Sequence, residues 1–151
     1  MNIRFYKIIP FVCMILLLGS CKEKIISPEQ IEKDTAEYSS RVCPRTVNKD
    51  MVMDSVIYRA ANPDNYYYYY TVSGIMDNDY ELPVLIDGQR AIYLTNLKQA
   101  PEMAPIMERE ATVHHVFISK STGKMLYDLR FVSAEYNSDY ISNPPSKPIL
   151  R

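Results

Sequence analysis

The run Tyr66-Tyr67-Tyr68-Tyr69-Tyr70 constrains this chain more than any other segment. Aromatic residues favour strands, and in a strand successive side chains point to opposite faces of the sheet. Tyr66, Tyr68 and Tyr70 therefore share one face, and Tyr67 and Tyr69 share the other. A sheet built around this strand must find cover or partners for large rings on both sides. One outcome is that one set packs beneath helices while the other makes cross-strand pairs, each worth about 0.2–1 kcal/mol. The other is that the uncovered set is a docking surface, because tyrosine offers large contact area at low entropic cost. A period of two does not say which set is buried. We take Tyr66, Tyr68 and Tyr70 as the core set and Tyr67 and Tyr69 as the candidate binding set, suited to protein or carbohydrate.

The flanking segments supply the remaining elements. Ser27 and Pro28 suit an N-cap and first helical position, with Gln30 at capping-box spacing. Ile31, Thr35, Tyr38 and Val42 then recur at helical spacing up to Pro44, which cannot continue a helix, so a helix is expected over 28–41. Alternation after Met51 predicts a strand over 52–60. Asn62-Pro63-Asp64-Asn65 joins it, as a hairpin, to a strand over 66–73. Leu82 to Leu97 reads as one helix despite Pro83 and Gly88, and Met103 to Met107 as a loop with a short turn. Val113 to Ser119 alternates, Ser121-Thr122-Gly123-Lys124 turns, and Met125 to Ala134 returns as a second hairpin. The expected class is α+β: a four-stranded antiparallel sheet made of two hairpins, with an N-terminal helix and a central helix packed on one face. One domain spans 27–136. Residues 137–151, with Pro144, Pro145 and Pro148 among Ser and Asn, bury too little apolar surface to offset chain entropy and form a flexible tail.

Ahead of the domain, Arg4 and Lys7 precede an apolar stretch from Ile8 to Leu18 that ends in Gly19 and Ser20. This is the layout of a signal peptide over 1–20. The stretch is shorter than the roughly 20 apolar residues a spanning helix needs. Leu18-Gly19-Ser20-Cys21 resembles a bacterial lipobox, which implies lipid on Cys21, a tether over 21–26 and a cell-envelope address facing the periplasm or cell surface. Two or more acyl chains hold a protein stably, since each buried methylene contributes about 0.8 kcal/mol. The membrane is thus one expected partner, reached through lipid rather than a span.

Cys43-Pro44, Asp54-Ser55-Val56, Tyr66 to Thr71 and Phe117 to Leu126 around Gly123 form a loose set of motifs along the domain. On these residues the chain, from the helix onward, resembles small uncharacterised lipoproteins of Gram-negative gut-type bacteria. The resemblance implies the fold and the address and brings no catalytic residue.

Several chemistries are excluded or left without a motif. Loss of residues 1–20 removes two basic residues from a chain with 17 Lys+Arg and 18 Asp+Glu, leaving 15 against 18. A weakly acidic chain lacks the basic surface that nucleic acid requires. Four glycines form no phosphate-cradling loop, and no Gly-x-Ser-x-Gly elbow occurs. His114 and His115 are the only histidines; as strand neighbours they face opposite ways, so no shared metal site, and no cofactor, is expected. Glu108 and Glu110, and Asp77 and Asp79, read as solvated pairs. Cys13 leaves with the signal peptide and Cys21 is blocked by lipid, which leaves Cys43 as a lone thiol expected to be buried and inert. Two functions of different class follow. The first is a noncatalytic binding or assembly module using an exposed aromatic sheet face; the second is a small periplasmic hydrolase or inhibitor with scattered residues such as His114, His115 and Glu110. The lipobox reading predicts that Cys21→Ser abolishes lipid labelling and releases the protein from membranes in a fractionation assay. Unchanged membrane association contradicts it.

Overall fold

In the computed structural model, which describes residues 26–137, helix α1 (Pro28–Val42) begins as its sequence dictates. The Gln30 amide donates to Ser27 Oγ at 3.3 Å, and Pro28 sits in the first turn, where a missing amide donor is harmless. Ile31 and Thr35 turn inward, with Tyr38 and Val42 packed at the margin of the core. The sheet follows as β1 (Arg45–Asn48), β2 (Met51–Arg59), β3 (Asn65–Val72), β4 (Thr112–Ser119) and β5 (Met125–Phe131), ordered β1-β2-β3-β4-β5. Helices α2 (Glu81–Gly88), α3 (Arg90–Gln99) and α4 (Ala104–Glu108) lie between β3 and β4, and α5 (Ser133–Tyr136) follows β5.

The sheet is five-stranded and mixed, which corrects the expected four antiparallel strands. The two hairpins are present, but β3 and β4 join them in parallel, from Asn65 opposite Thr112 to Val72 opposite Ser119. A parallel neighbour needs a crossover of a dozen or more residues that carries the chain back to the end where the first strand began. Residues 73–111, with three helices, do this. The added strand β1 is short, and its residues are all exposed, so no alternation announces it. The expected central helix is two helices, because the chain leaves helical geometry at Gln89 (φ −104°, ψ 4°). Met103 to Met107 is largely helical rather than loop, and β5 stops at Phe131 instead of Ala134 because α5 begins at Ser133.

Cross-strand register aligns the core in rows. Tyr58, Tyr66, Val113 and Phe131 form one, Val56, Tyr68, His115 and Leu129 the next, and Met53, Tyr70, Phe117 and Tyr127 a third. Ile31 of α1, Leu82 and Ile86 of α2, Leu97 of α3, Ile106 of α4 and Tyr136 of α5 pack onto this one face as a single cluster. A β-bulge between Met53 and Ser55 keeps β2 in phase with that face, and the Val56 amide beside it donates to Ser39 Oγ of α1 at 2.9 Å. The opposite face has no helix among the described residues.

Tyr66, Tyr68 and Tyr70 therefore lie on the helix side, and Tyr67 and Tyr69 on the other. Urea denaturation is expected to show a loss of about 3–5 kcal/mol for Phe117→Ala or Tyr70→Ala. Tyr67→Ala and Tyr69→Ala are expected to cost about 1 kcal/mol or less each, the scale of a cross-strand pair. Equal losses from both sets contradict the division.

Candidate functional site

The helix-free face takes its composition from the strand positions that alternate with the core rows. Ile57, Tyr67, His114 and Arg130 make one row, and Ser55, Tyr69, Val116 and Asp128 the next. The Tyr67 ring stacks on Tyr69 with centroids 5.8 Å apart and on His114 at 4.5 Å. His114 Nδ1 lies 3.1 Å from each Asp128 carboxylate oxygen, and Nε2 lies 3.1 Å from Asn65 Oδ1. The Asn65 amide nitrogen donates to the Pro63 carbonyl, which sets its oxygen toward the histidine. Arg130 Nε closes the network at 2.9 Å from Asp128 Oδ2.

On this uncovered face, His114 is 8% and Val116 6% exposed. Val116 lies outside the main core cluster. The face thus has a small aromatic and apolar centre of its own. Its margin carries the exposed Asp54, Arg59 and Arg130, and Thr71 Oγ1 donates to the Asp54 carboxylate at 2.7 Å. Charges of both signs lie at the margin of this centre.

His115 has the opposite setting. It lies beneath the helices, stacked on Tyr68 with centroids 4.9 Å apart, edge-on to Tyr93, and with Nδ1 3.1 Å from the Tyr70 hydroxyl. Burial, helped by the nearby His114, pulls its pKa down to about 3, so the ring is neutral. Burial likewise pushes the Tyr66, Tyr68 and Tyr70 hydroxyls above their ordinary range. The two histidines therefore do not share a site. Glu110 lies at the end of the sheet in a left-handed turn before β4 (φ 54°). Among the described residues no group of three or more His, Cys, Asp or Glu is placed to hold a metal ion. Cys43 caps α1 half-buried against the core, less enclosed than expected. Cys21, the tether up to residue 25 and the tail from residue 138 lie outside the described residues.

Residues 27–127 match a family described only as a domain of unknown function, DUF8479. The chain belongs to that family. A crystal structure of a candidate secreted protein from Pseudomonas aeruginosa shares the fold of this DUF8479 chain, with a TM-score of 0.59 and 17% sequence identity. The match covers 78% of this chain and 99% of that one. No curated protein matches the chain. No helix of this DUF8479 chain, among the described residues, is long and apolar enough to cross a membrane.

Sequence reasoning singled out Tyr67, Tyr69 and His114 but missed the groups that hold the histidine. Asp128 and Arg130 were reachable from the register of the second hairpin, whereas Asn65 meets His114 only because β3 and β4 run parallel. The neutral His115 carries a pH signature. Its folded pKa lies below the ordinary value of 6.5, so the unfolded chain binds a proton that the folded chain refuses between pH 6.5 and about 3. Stability is expected to fall with acidification through that window, by up to about 1.4 kcal/mol per pH unit from this group. Denaturation midpoints of wild type and His115→Phe across pH 4–7 check this, with a flatter profile expected for the variant. Parallel profiles contradict it.

Proposed function

We propose that this protein is an exported, lipid-anchored binding module that docks a protein partner on the helix-free face of its sheet. Export and anchoring rest on the signal-peptide layout and on Leu18-Gly19-Ser20-Cys21. The fold shared with a candidate secreted protein is consistent with export. The docking surface rests on one observation: an aromatic and apolar centre around Tyr67, Tyr69, His114 and Val116 that no helix among the described residues covers. An apolar centre with a charged rim is the usual anatomy of protein interfaces. Several features favour protein over other partners. Charges of both signs give no general attraction to nucleic acid or to an anionic lipid surface. Tyrosine at such a centre is among the side chains that most often carry binding energy.

A photo-crosslinking amino acid at position 69 of the full-length protein in its native membrane tests the reading. One discrete adduct with another protein is expected, falling about tenfold with Ile57→Glu on the same face, and absent when the crosslinker sits at Glu32 on α1. A self-adduct only, or an adduct indifferent to Ile57→Glu, overturns the proposal. So does the absence of any adduct from position 69.

A further inference from the structure

At the end of the sheet where β3 and β4 both begin, a cleft of about 340 Å³ opens between the loops. Asn62, Asp64, Arg109, Glu110, Thr112 and Ser133 line it. Its base is prebuilt. Asp64 is 3% exposed, and its carboxylate accepts from the Tyr58 hydroxyl at 2.7 Å, the Ala61 amide at 2.8 Å and Arg109 Nε. Burial alone raises the Asp64 pKa, but the hydrogen bonds from Tyr58, Ala61 and Arg109 outweigh it and hold the group ionised. Asp64 in turn strengthens the Arg109 charge. The guanidinium is thus fixed through Nε, 3.0 Å from the Tyr58 hydroxyl as well.

This leaves both Arg109 Nη groups without a hydrogen-bond partner among the described residues. The side chains of Asn62, Glu110, Thr112 and Ser133 are in the same condition. Glu110 adopts φ 54° as the residue that closes α4, where its amide donates to the Met107 carbonyl at 3.0 Å and the Ala111 amide to the Ile106 carbonyl at 3.3 Å. The lining therefore presents fixed donors from Arg109, acceptors from Glu110, and groups from Asn62, Thr112 and Ser133 that can do either.

Charge narrows the ligand class. The Asp64 carboxylate already offsets Arg109, so Glu110 leaves the cleft with a net negative charge that disfavours an anion. A simple cation would leave the guanidinium donors unmatched. A hydroxyl group both donates to a carboxylate and accepts from a guanidinium, so a ligand with several hydroxyls matches the whole set. The cleft volume lies at the small end of the range for organic ligands, roughly 300–1,000 Å³. We propose that this cleft binds a neutral, hydroxyl-rich ligand of one or two sugar units, either free or at the end of a glycan.

Saturation-transfer NMR on the folded protein with the methyl glycosides of glucose, galactose, mannose and N-acetylglucosamine tests the assignment, with maltose, cellobiose and chitobiose as the longer arm. At least one probe is expected to receive transfer. Its affinity is expected to fall about tenfold or more in Glu110→Asn and in Ser133→Ala, both at exposed or half-exposed positions that leave the Asp64–Arg109 pair intact. Asparagine tolerates the left-handed turn, so the first variant keeps the fold, which circular dichroism verifies. Tyr69→Ala, on the sheet face, is expected to leave sugar binding unchanged, which separates this site from the docking face. Tighter binding by a disaccharide identifies a glycan end, and equal binding by its monosaccharide identifies a free sugar. The proposal is overturned if no probe receives transfer, if Glu110→Asn and Ser133→Ala bind as wild type, or if acetate or phosphate displaces the sugar more effectively than sugar itself.

Discussion

The alternation of side chains along the central strand governs the rest of the structure. β3 is third of five strands, so its rings on either side are flanked by two strands on both edges. Tyr66, Tyr68 and Tyr70 set the spacing of a core whose rows run from β2 to β5, and every helix that buries a residue does so against those rows. The same alternation separates His114 from His115. One side chain joins Asp128, Asn65 and Tyr67 on the uncovered face; its neighbour is sealed among tyrosine rings and stays neutral. Adjacent residues of one type acquire unlike chemistry because a strand turns them to unlike surroundings.

A second constraint is the parallel pairing of β3 and β4. In a parallel pair both strands start at the same end of the sheet, so the loops before them become neighbours. The Thr112 amide donates to the Asp64 carbonyl at 2.8 Å, and Arg109, three residues before Thr112, reaches the Asp64 side chain. An antiparallel arrangement would carry Arg109 to the far end of β3. The cleft with its fixed guanidinium is therefore a product of the crossover, whose last helix, α4, has its C-cap, Arg109, on the cleft wall.

Much of this was legible in the residues. Ser27-Pro28 and the spacing of Ile31, Thr35, Tyr38 and Val42 mark α1, and period two marks β2 to β5 and splits the tyrosines. These are local signals, each contained within a dozen or so residues. Strand direction is not local: two hairpins with a helical link are compatible with either pairing, and only packing of α2, α3 and α4 onto the sheet selects the parallel one. β1 was hidden because its four residues are all exposed, and α5 because Ser133-Ala134 continues the alternation of β5. The Asp64–Arg109 pair joins residues 45 apart in sequence, and neither sits in a pattern that announces the other. Apart from Tyr67, Tyr69 and His114, the groups of the sheet face follow from register alone.

The central claim is that one strand divides its tyrosines between a helix-covered core, with Tyr66 and Tyr70 buried and Tyr68 half-buried, and a helix-free face that carries the half-buried Tyr67 and Tyr69. Nitration of the native protein with tetranitromethane, read residue by residue by mass spectrometry, tests it most directly. The account predicts fast modification of Tyr67 and Tyr69 and protection of Tyr66, Tyr68 and Tyr70 until the protein is unfolded. Protection of Tyr67 and Tyr69 equal to that of Tyr68 in the isolated protein would contradict it, since the second face would then be covered as well.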